Sequence, residues 1–272
     1  MKWSRAAEEA VSRVPFFVRK KVKKRVEEEA TRCGSKEVEL KHVNICQSRF
    51  LNRMEEEVKG HRVETCFGAS GCPNRAVIAE GLPERLEALL AGKNLKYFLK
   101  EKVKGPLRMH HEFRVSISDC PNACSRPQIV DVGLIAACMP EVGEEACTGC
   151  VACIAVCKEK AVTMQEGRPL VDPSKCLFCA QCVRECPTGT LQRGQVGFRV
   201  LIGGKLGRHP RLGRELPGVH SQGETFKIVE NCVDFFQRHC VSGERLGEIL
   251  EHTGREPREM LVSGDTCGSC SS

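Results

Sequence analysis

Two runs of cysteine constrain this chain more than any other feature. "CTGCVACIAVC" places Cys147, Cys150, Cys153 and Cys157 at C-x2-C-x2-C-x3-C, and "CLFCAQCVRECP" repeats the spacing at Cys176, Cys179, Cys182 and Cys186. A segment this rich in thiols and short loops has little to build an apolar core from. Clustered C-x-x-C spacing of this kind points to metal. In runs of this spacing three close thiolates grip three irons of a cubane, and the fourth reaches across to the other cluster. Cys147, Cys150, Cys153 and Cys186 then hold one [4Fe–4S] cluster, and Cys176, Cys179, Cys182 and Cys157 the second. Tetrahedral zinc sites do not repeat in this crossed arrangement.

The pattern is that of bacterial two-cluster ferredoxins, with Pro187 after the second run and Lys158 where the first would usually carry proline. That change loosens a turn without touching ligation. Alone, the island says only that electrons pass through it. The wider composition agrees with metal. Nineteen cysteines in 272 residues are grouped as C-x-x-C and not spread as in a disulfide framework. The N-terminus "MKWSRAAEEA" is charged and lacks the apolar segment of a secretory signal. The longest apolar run, "VGLIAACMP" (132–140), is far short of the roughly 20 residues that cross a bilayer. A soluble, cytoplasmic protein without membrane insertion is expected. Net charge is +7, with basic clusters at 18–25 and 203–214. One Trp, one Tyr and no nucleic-acid motif argue against a nucleic-acid partner. An anionic cofactor or an acidic electron-donor protein suits the charge equally well.

Residues 1–50 read as helical: Trp3 to Val14, a break at Pro15, then Phe16 to Cys33 stopped by Gly34. Phe17, Val18, Val22, Val26 and Ala30 make one apolar stripe, which leaves "KKVKKR" a solvated face. Val38 to Met54 makes a third helix, with Val43, Cys46, Phe50 and Met54 inward. "RVETC" (62–66) and "FRVSISDC" (113–120) alternate as strands, each delivering a cysteine at its end. Between them "NRAVIAEGLPERLEALLAG" reads as one helix leaving Cys72 and another after Pro83. Beyond the island, 196–204 is a strand, 224–239 and 243–254 are helices, and Arg255 to Ser272 has no periodicity and reads as a mobile tail.

The remaining thiols of interest lie in "CFGASGC" (66–72) and "ISDCPNAC" (117–124), where Cys66, Cys72, Cys120 and Cys124 could complete a third cubane. These two motifs resemble the paired cysteine motifs of the sirohaem-dependent sulfite and nitrite reductases. The resemblance implies that the four cysteines ligate a [4Fe–4S] cluster and that Cys124 is also the axial thiolate of a sirohaem. It further implies a catalytic role for Cys124 in reducing a small anion, sulfite or nitrite, with electrons arriving from a donor protein through the ferredoxin clusters. Pro121 and Asn122 shape the turn. An inserted ferredoxin module followed by "RVLIGGKLGRHPRLG" and "GERLGEILEHTG" is similar to dissimilatory and anaerobic sulfite reductase subunits. Residues 1–50 resemble a helical domain of a light-independent protochlorophyllide reductase subunit, a docking or tetrapyrrole-adjacent module.

The expected fold is α+β: a helical domain (1–50), a sulfite reductase-like α/β domain in two parts (51–144 and 191–255), a 2×[4Fe–4S] insert (145–190) and a Cys-containing tail (256–272). Full sulfite reductases have two homologous halves and this chain matches one, so a homodimer is expected to complete the site. The alternative is a non-catalytic electron-transfer or tetrapyrrole-binding partner that kept its clusters. Lys205, Arg208, His209, Arg211 and Arg214 follow a Gly-Gly turn and would bind cofactor carboxylates, or else form a solvated loop. His110 and His111 would deliver protons near the haem, or else are surface residues. Cys33, Cys46, Cys138, Cys232 and Cys240 read as buried small hydrophobes. Cys267 and Cys270 read as a redox dithiol, a sulfur acceptor, or end sequence.

Overall fold

The computed structural model describes residues 1–77 and 79–261, so Cys267 and Cys270 lie outside the described residues. The chain divides into two compact units, Met1–Lys59 with Lys104–Met109, and Gly60–Val103 with the described residues from His110 onward.

In the first unit, strands β1 (Lys2–Trp3) and β2 (Glu37–Val38) pair in parallel beside helices α1 (Arg5–Ser12), α2 (Phe16–Arg32) and α3 (Leu40–Glu57). Ser4 caps α1 by accepting the N–H of Ala7, and Gly34 leaves α2 at φ +69°, the left-handed turn that favours glycine. Ala7, Val11, Val26, Ala30, Val38 and Val43 form the core, with Trp3 and Val22 against it. The expected stripe on α2 therefore fails at its start: Phe17 is 75% exposed, and its ring sits edge-on to the likewise exposed Phe16. The eight-residue α1 is too short to cover both ends of α2. Phe50 is also exposed, and Val38 belongs to β2, not to α3.

The second unit is built on a five-stranded mixed sheet. β3 (His61–Thr65), β4 (Phe113–Ser118) and β5 (Val132–Val142) run parallel to one another. Between β3 and β4 lie α4 (Leu82–Gly92) and α5 (Leu95–Lys102). No helix leaves Cys72: among the described residues 74–81 are turns and coil, and Pro83 sits in the first turn of α4, where its missing N–H costs nothing. The insert holds α6 (Ala152–Val156), the hairpin β6 (Val162–Gln165) and β7 (Arg168–Val171), and α7 (Gln181–Arg184). β8 (Leu191–Ile202) returns antiparallel to β5 along its length, and β9 (Arg214–Glu215) closes the edge. Helices α8 (Gln222–His239) and α9 (Leu246–His252) follow. Phe236 of α8 packs between Phe98 and Phe113, 5.7 and 5.3 Å away, which ties α5 and α8 to β4. The tail is not featureless: Pro257–Leu261 forms a 3-10 turn and Met260 is buried. Among the described residues no helix is long and apolar enough to cross a membrane.

Candidate metal centres and their surroundings

Parallel pairing of β3 with β4 decides the first centre. Thr65 faces Ile117 in the register, so both strands hand over to their cysteines at the same end of the sheet. The Cys66 N–H bonds the Ile117 carbonyl at 3.0 Å, and the Asp119 N–H donates to the Cys66 sulfur at 3.3 Å, linking the two cysteine pairs. Gly68 donates to the same sulfur at 3.3 Å. Burial pushes the Cys120 thiol up; the Asn122 N–H opposes this, and the neighbouring Cys124, Cys72 and Cys66 add to it. These four thiols are therefore one electrostatic group. Cys120 is buried, Cys66 and Cys72 are half-buried, and Cys124 is exposed.

The Cys120–Cys124 turn is pinned by hydroxyls that sequence reading passed over. Ser125 donates to the Ile117 carbonyl (2.8 Å) and shares a 2.6 Å bond with Ser118, and Ser116 donates to the Ser125 carbonyl (2.7 Å). The signal was legible: Ser116 and Ser118 alternate on one face of a buried strand whose opposite face, Phe113, Val115 and Ile117, is apolar, so each needed a buried partner. Asp119 faces Arg75 at 3.3 Å; burial raises its carboxyl above the usual range, and the guanidinium only partly offsets this.

The insert repeats itself. Gly149 and Phe178 occupy matching places with φ of +70° and +59°, and each donates its N–H to the first sulfur of its run, Cys147 or Cys176, at 3.4 Å. α6 and α7 start from left-handed Val151 and Ala180 and carry the third cysteines, Cys153 and Cys182. The last cysteines also receive N–H groups, Cys157 from Ala161 at 3.3 Å and Cys186 from Leu191 at 3.4 Å. Burial pushes the Cys153 thiol up, and its charged neighbours are Cys186 and Cys147. Burial likewise pushes Cys182 to about 12, with Cys176, Cys179 and Cys157 adding to it. The runs thus exchange their fourth cysteines in space. Burial alone would push Cys186 up too, but donors from Leu191, Thr188 and Gly189 outweigh it and hold the thiol below its usual value. Among the described residues no three His, Cys, Asp or Glu side chains converge on a single ion. A cubane, with an iron for each thiolate, asks for wider spacing than one tetrahedral ion.

A cavity of about 140 Å³ has Cys120 and Asn122 on one side and Cys157, Cys176, Cys179 and Cys182 on the other. The second four-thiol set of the insert therefore faces the sheet site, whereas Cys150 of the first set is exposed.

The basic loop after β8 lies elsewhere. Lys205 is buried and ion-paired with Glu248, Arg211 pairs with Glu251 and donates to the Gly247 carbonyl, and Arg214 meets Glu256 at 2.9 Å. Arg208 and His209 are exposed at the tip. A side chain at Gly204 would strike the Gln128 carbonyl, so the close approach those glycines permit is used by the protein's own backbone. Gln128 also accepts the Gly213 N–H at 2.7 Å. It lies four positions after Cys124, so the loop's base is within about 14 Å of that residue's backbone. His110 and His111 meet edge-on with ring centroids 4.1 Å apart before β4, and the whole six-residue strand, about 20 Å, separates them from Cys120. The structure does not bring them to the cysteines.

A mixed sheet with one four-thiol set at its end and two in an insert defines an α+β protein built around clustered thiols. The model of the nitrite and sulphite reductase 4Fe-4S domain matches residues 61–262, and the chain belongs to that family. Residues 3–46 match the model of the proto-chlorophyllide reductase 57 kD subunit. Among curated relatives, the coenzyme F420-dependent sulfite reductase of Methanocaldococcus jannaschii is 30% identical over 146 residues, 53% of this chain and 23% of that protein. One subunit of the anaerobic sulfite reductase of Salmonella typhimurium is 24% identical over 246 residues, 81% of this chain and 68% of that protein. A crystal structure of dissimilatory sulfite reductase I aligns with a TM-score of 0.47 and 18% identity, over 77% of this chain and 55% of that one.

Proposed function

We propose that the chain is a sirohaem- and iron–sulfur-dependent reductase subunit acting on sulfite, with nitrite the alternative in the same six-electron class. The observation that carries this is the delivery of Cys66 and Cys120 to one end of the sheet by parallel strands, with the Asp119 N–H on the Cys66 sulfur. The donor sets suit three cubanes: each has four thiols and at least one backbone N–H aimed at a sulfur, the contact that stabilises thiolate and tunes a cluster's potential. Cys66, Cys72, Cys120 and Cys124 hold one cluster, Cys147, Cys150, Cys153 and Cys186 the second, and Cys176, Cys179, Cys182 and Cys157 the third.

An exposed Cys124 beside a buried Cys120 suits a thiolate shared with a second group. Sirohaem, when bound, supplies the iron at which an oxyanion is reduced. The chain's part is to hold Cys124 outward on the serine-pinned turn and to offer cations for the cofactor's carboxylates. Arg208 and His209 are the exposed members of the basic loop for this task, and Arg214 needs only to exchange Glu256. Electrons from a donor protein enter at the exposed Cys150 side and leave through the Cys176 side. A second copy in a homodimer supplies the cations that one half lacks.

A second reading, an electron carrier without substrate chemistry, is favoured by the ion pairs that occupy Lys205 and Arg211. Anaerobic purification with iron and sulfide counts and an absorption spectrum tests both. We expect about twelve cluster irons per chain and sirohaem bands. Twelve irons without haem, when sirohaem is supplied, selects the carrier; eight irons removes the sheet site.

A further inference from the structure

Three side chains from around the second four-thiol set grip three consecutive residues that follow Cys72. The Gln181 amide donates to Asn74 Oδ1 at 3.2 Å, the Arg184 guanidinium to the Arg75 carbonyl at 2.6 Å, and the Arg193 guanidinium to the Ala76 carbonyl at 3.2 Å. Gln181 and Arg184 are the two ends of α7, the four-residue helix that carries Cys182. Arg193 lies near the start of β8 and also bonds the thiol of Cys138, whose N–H is held by the Phe178 carbonyl at 2.8 Å. On the far side, the Ala76 N–H bonds the Asp119 carbonyl at 2.7 Å, one residue before Cys120. Residues 74–76 are thus a strap, fixed at one edge to the turn that carries Cys120 and at the other to the helix that carries Cys182. The 140 Å³ cavity between these cysteines lies beneath it.

Nothing in the local sequence demands this strap. Residues 74–77 have no regular secondary structure, so their carbonyls are open for side-chain donors. Both arginines are exposed residues, and each gives a guanidinium N–H to a backbone carbonyl. A guanidinium suits that task because several fixed donors let it hold a carbonyl and keep a second contact, as Arg193 does with Cys138.

We propose that Arg184 and Arg193 are positioning residues that lock the insert onto the sheet, fixing the separation between the Cys157/Cys176/Cys179/Cys182 set and the Cys66/Cys72/Cys120/Cys124 set. This rests on the reading that both sets hold clusters. Electron transfer between the two is then set by a rigid contact and not by the hinge of the β5–β8 ribbon from which the insert projects. Among the described residues no such strap reaches the other set, Cys147/Cys150/Cys153/Cys186, which is left to meet the donor.

The test uses the full chain, cluster-loaded and anaerobic, with Arg184→Met, Arg193→Met and the double variant. Because both side chains are exposed, the fold and all twelve irons should survive. Hydrogen exchange at 74–76 should quicken. Spin–spin coupling between the reduced sheet cluster and its neighbour in the insert, seen as broadening in the electron paramagnetic resonance spectrum, should weaken. After rapid reduction of the insert, arrival of electrons at the sheet site should slow severalfold. Arg184→Lys, which keeps a donor for the carbonyl, should recover much of each effect. Wild-type coupling and transfer in a double variant that retains twelve irons would overturn the clamp alone. Eight irons in the unmodified chain would overturn the reading of the sheet site, and the clamp with it.

Discussion

The insert and the sheet site each gather thiols in fours, but they do so by opposite routes. In the insert the thiols come from one continuous stretch, turned by left-handed residues at Gly149, Val151, Phe178 and Ala180. Its core is largely the thiols themselves: Cys153 and Cys182 pack with Val162 and Leu191, and Cys157 and Cys186 lie against them. At the sheet site, cysteines from loops 48 residues apart meet because β3 and β4 are parallel, over an apolar sheet that includes fully buried Phe113, Val115 and Leu134. On the proposed ligation the insert would draw on metal for its core, whereas the sheet site rests on an apolar scaffold of its own. Loss of one ligand should therefore cost chemistry at the sheet and structure in the insert.

The largest effect is expected at Cys124. Serine is a harder, poorer ligand for cluster iron than thiolate. Cys124→Ser should lose about four of the twelve irons, shift the haem bands and reduce turnover to background, while the eight irons of the insert stay and still accept electrons. Since Cys124 is exposed on a turn pinned by Ser118 and Ser125, far-ultraviolet dichroism should not change. An unaltered haem spectrum with all three clusters in this variant would break the contrast at its sheet end.

At Cys186 the damage should be smaller in chemistry and larger in local structure. Its electrostatic neighbour is Cys153 of the other run, so Cys186→Ser should empty the set of Cys147, Cys150 and Cys153. Sheet amides should keep their exchange protection while those of residues 147–157 lose it. Loss of the Cys176 set instead would show that the runs do not exchange their fourth ligands.

Sequence made the insert legible because everything that builds it is local. Spacing alone names its eight thiols. The sheet site was legible as two pairs joined into one set of four only through a family resemblance; the physical reason they meet is the parallel register of His61–Thr65 on Phe113–Ile117, which no single stretch encodes. Misreadings have the same origin. "NRAVIAEG" has helical composition, yet residues 74–76 are drawn out by Gln181, Arg184 and Arg193, more than a hundred residues away. Phe17 and Val18 continue a helical stripe in sequence, but no partner element reaches them within their unit. The cations after β8 were visible as charge, but not that α9 would answer them with Glu248 and Glu251.

The smallest effect is expected where the two regions touch. Cys138 is fully buried in β5; its backbone bridges to Cys179, and burial pushes its thiol up while Arg193 pulls the other way. It is a further thiol beside a four-thiol set, so it tests whether that set is closed. If Cys138 only packs, Cys138→Ser exchanges a small hydrophobe for a hydroxyl that Arg193 can still donate to. The cost should then be about 1 kcal/mol, or about 2–4 °C in Tm. Iron content, spectra and electron transfer to the sheet site should match the unmodified chain. Loss of about four irons would instead place Cys138 among the ligands in exchange for Cys179, and the insert would no longer be a self-contained unit.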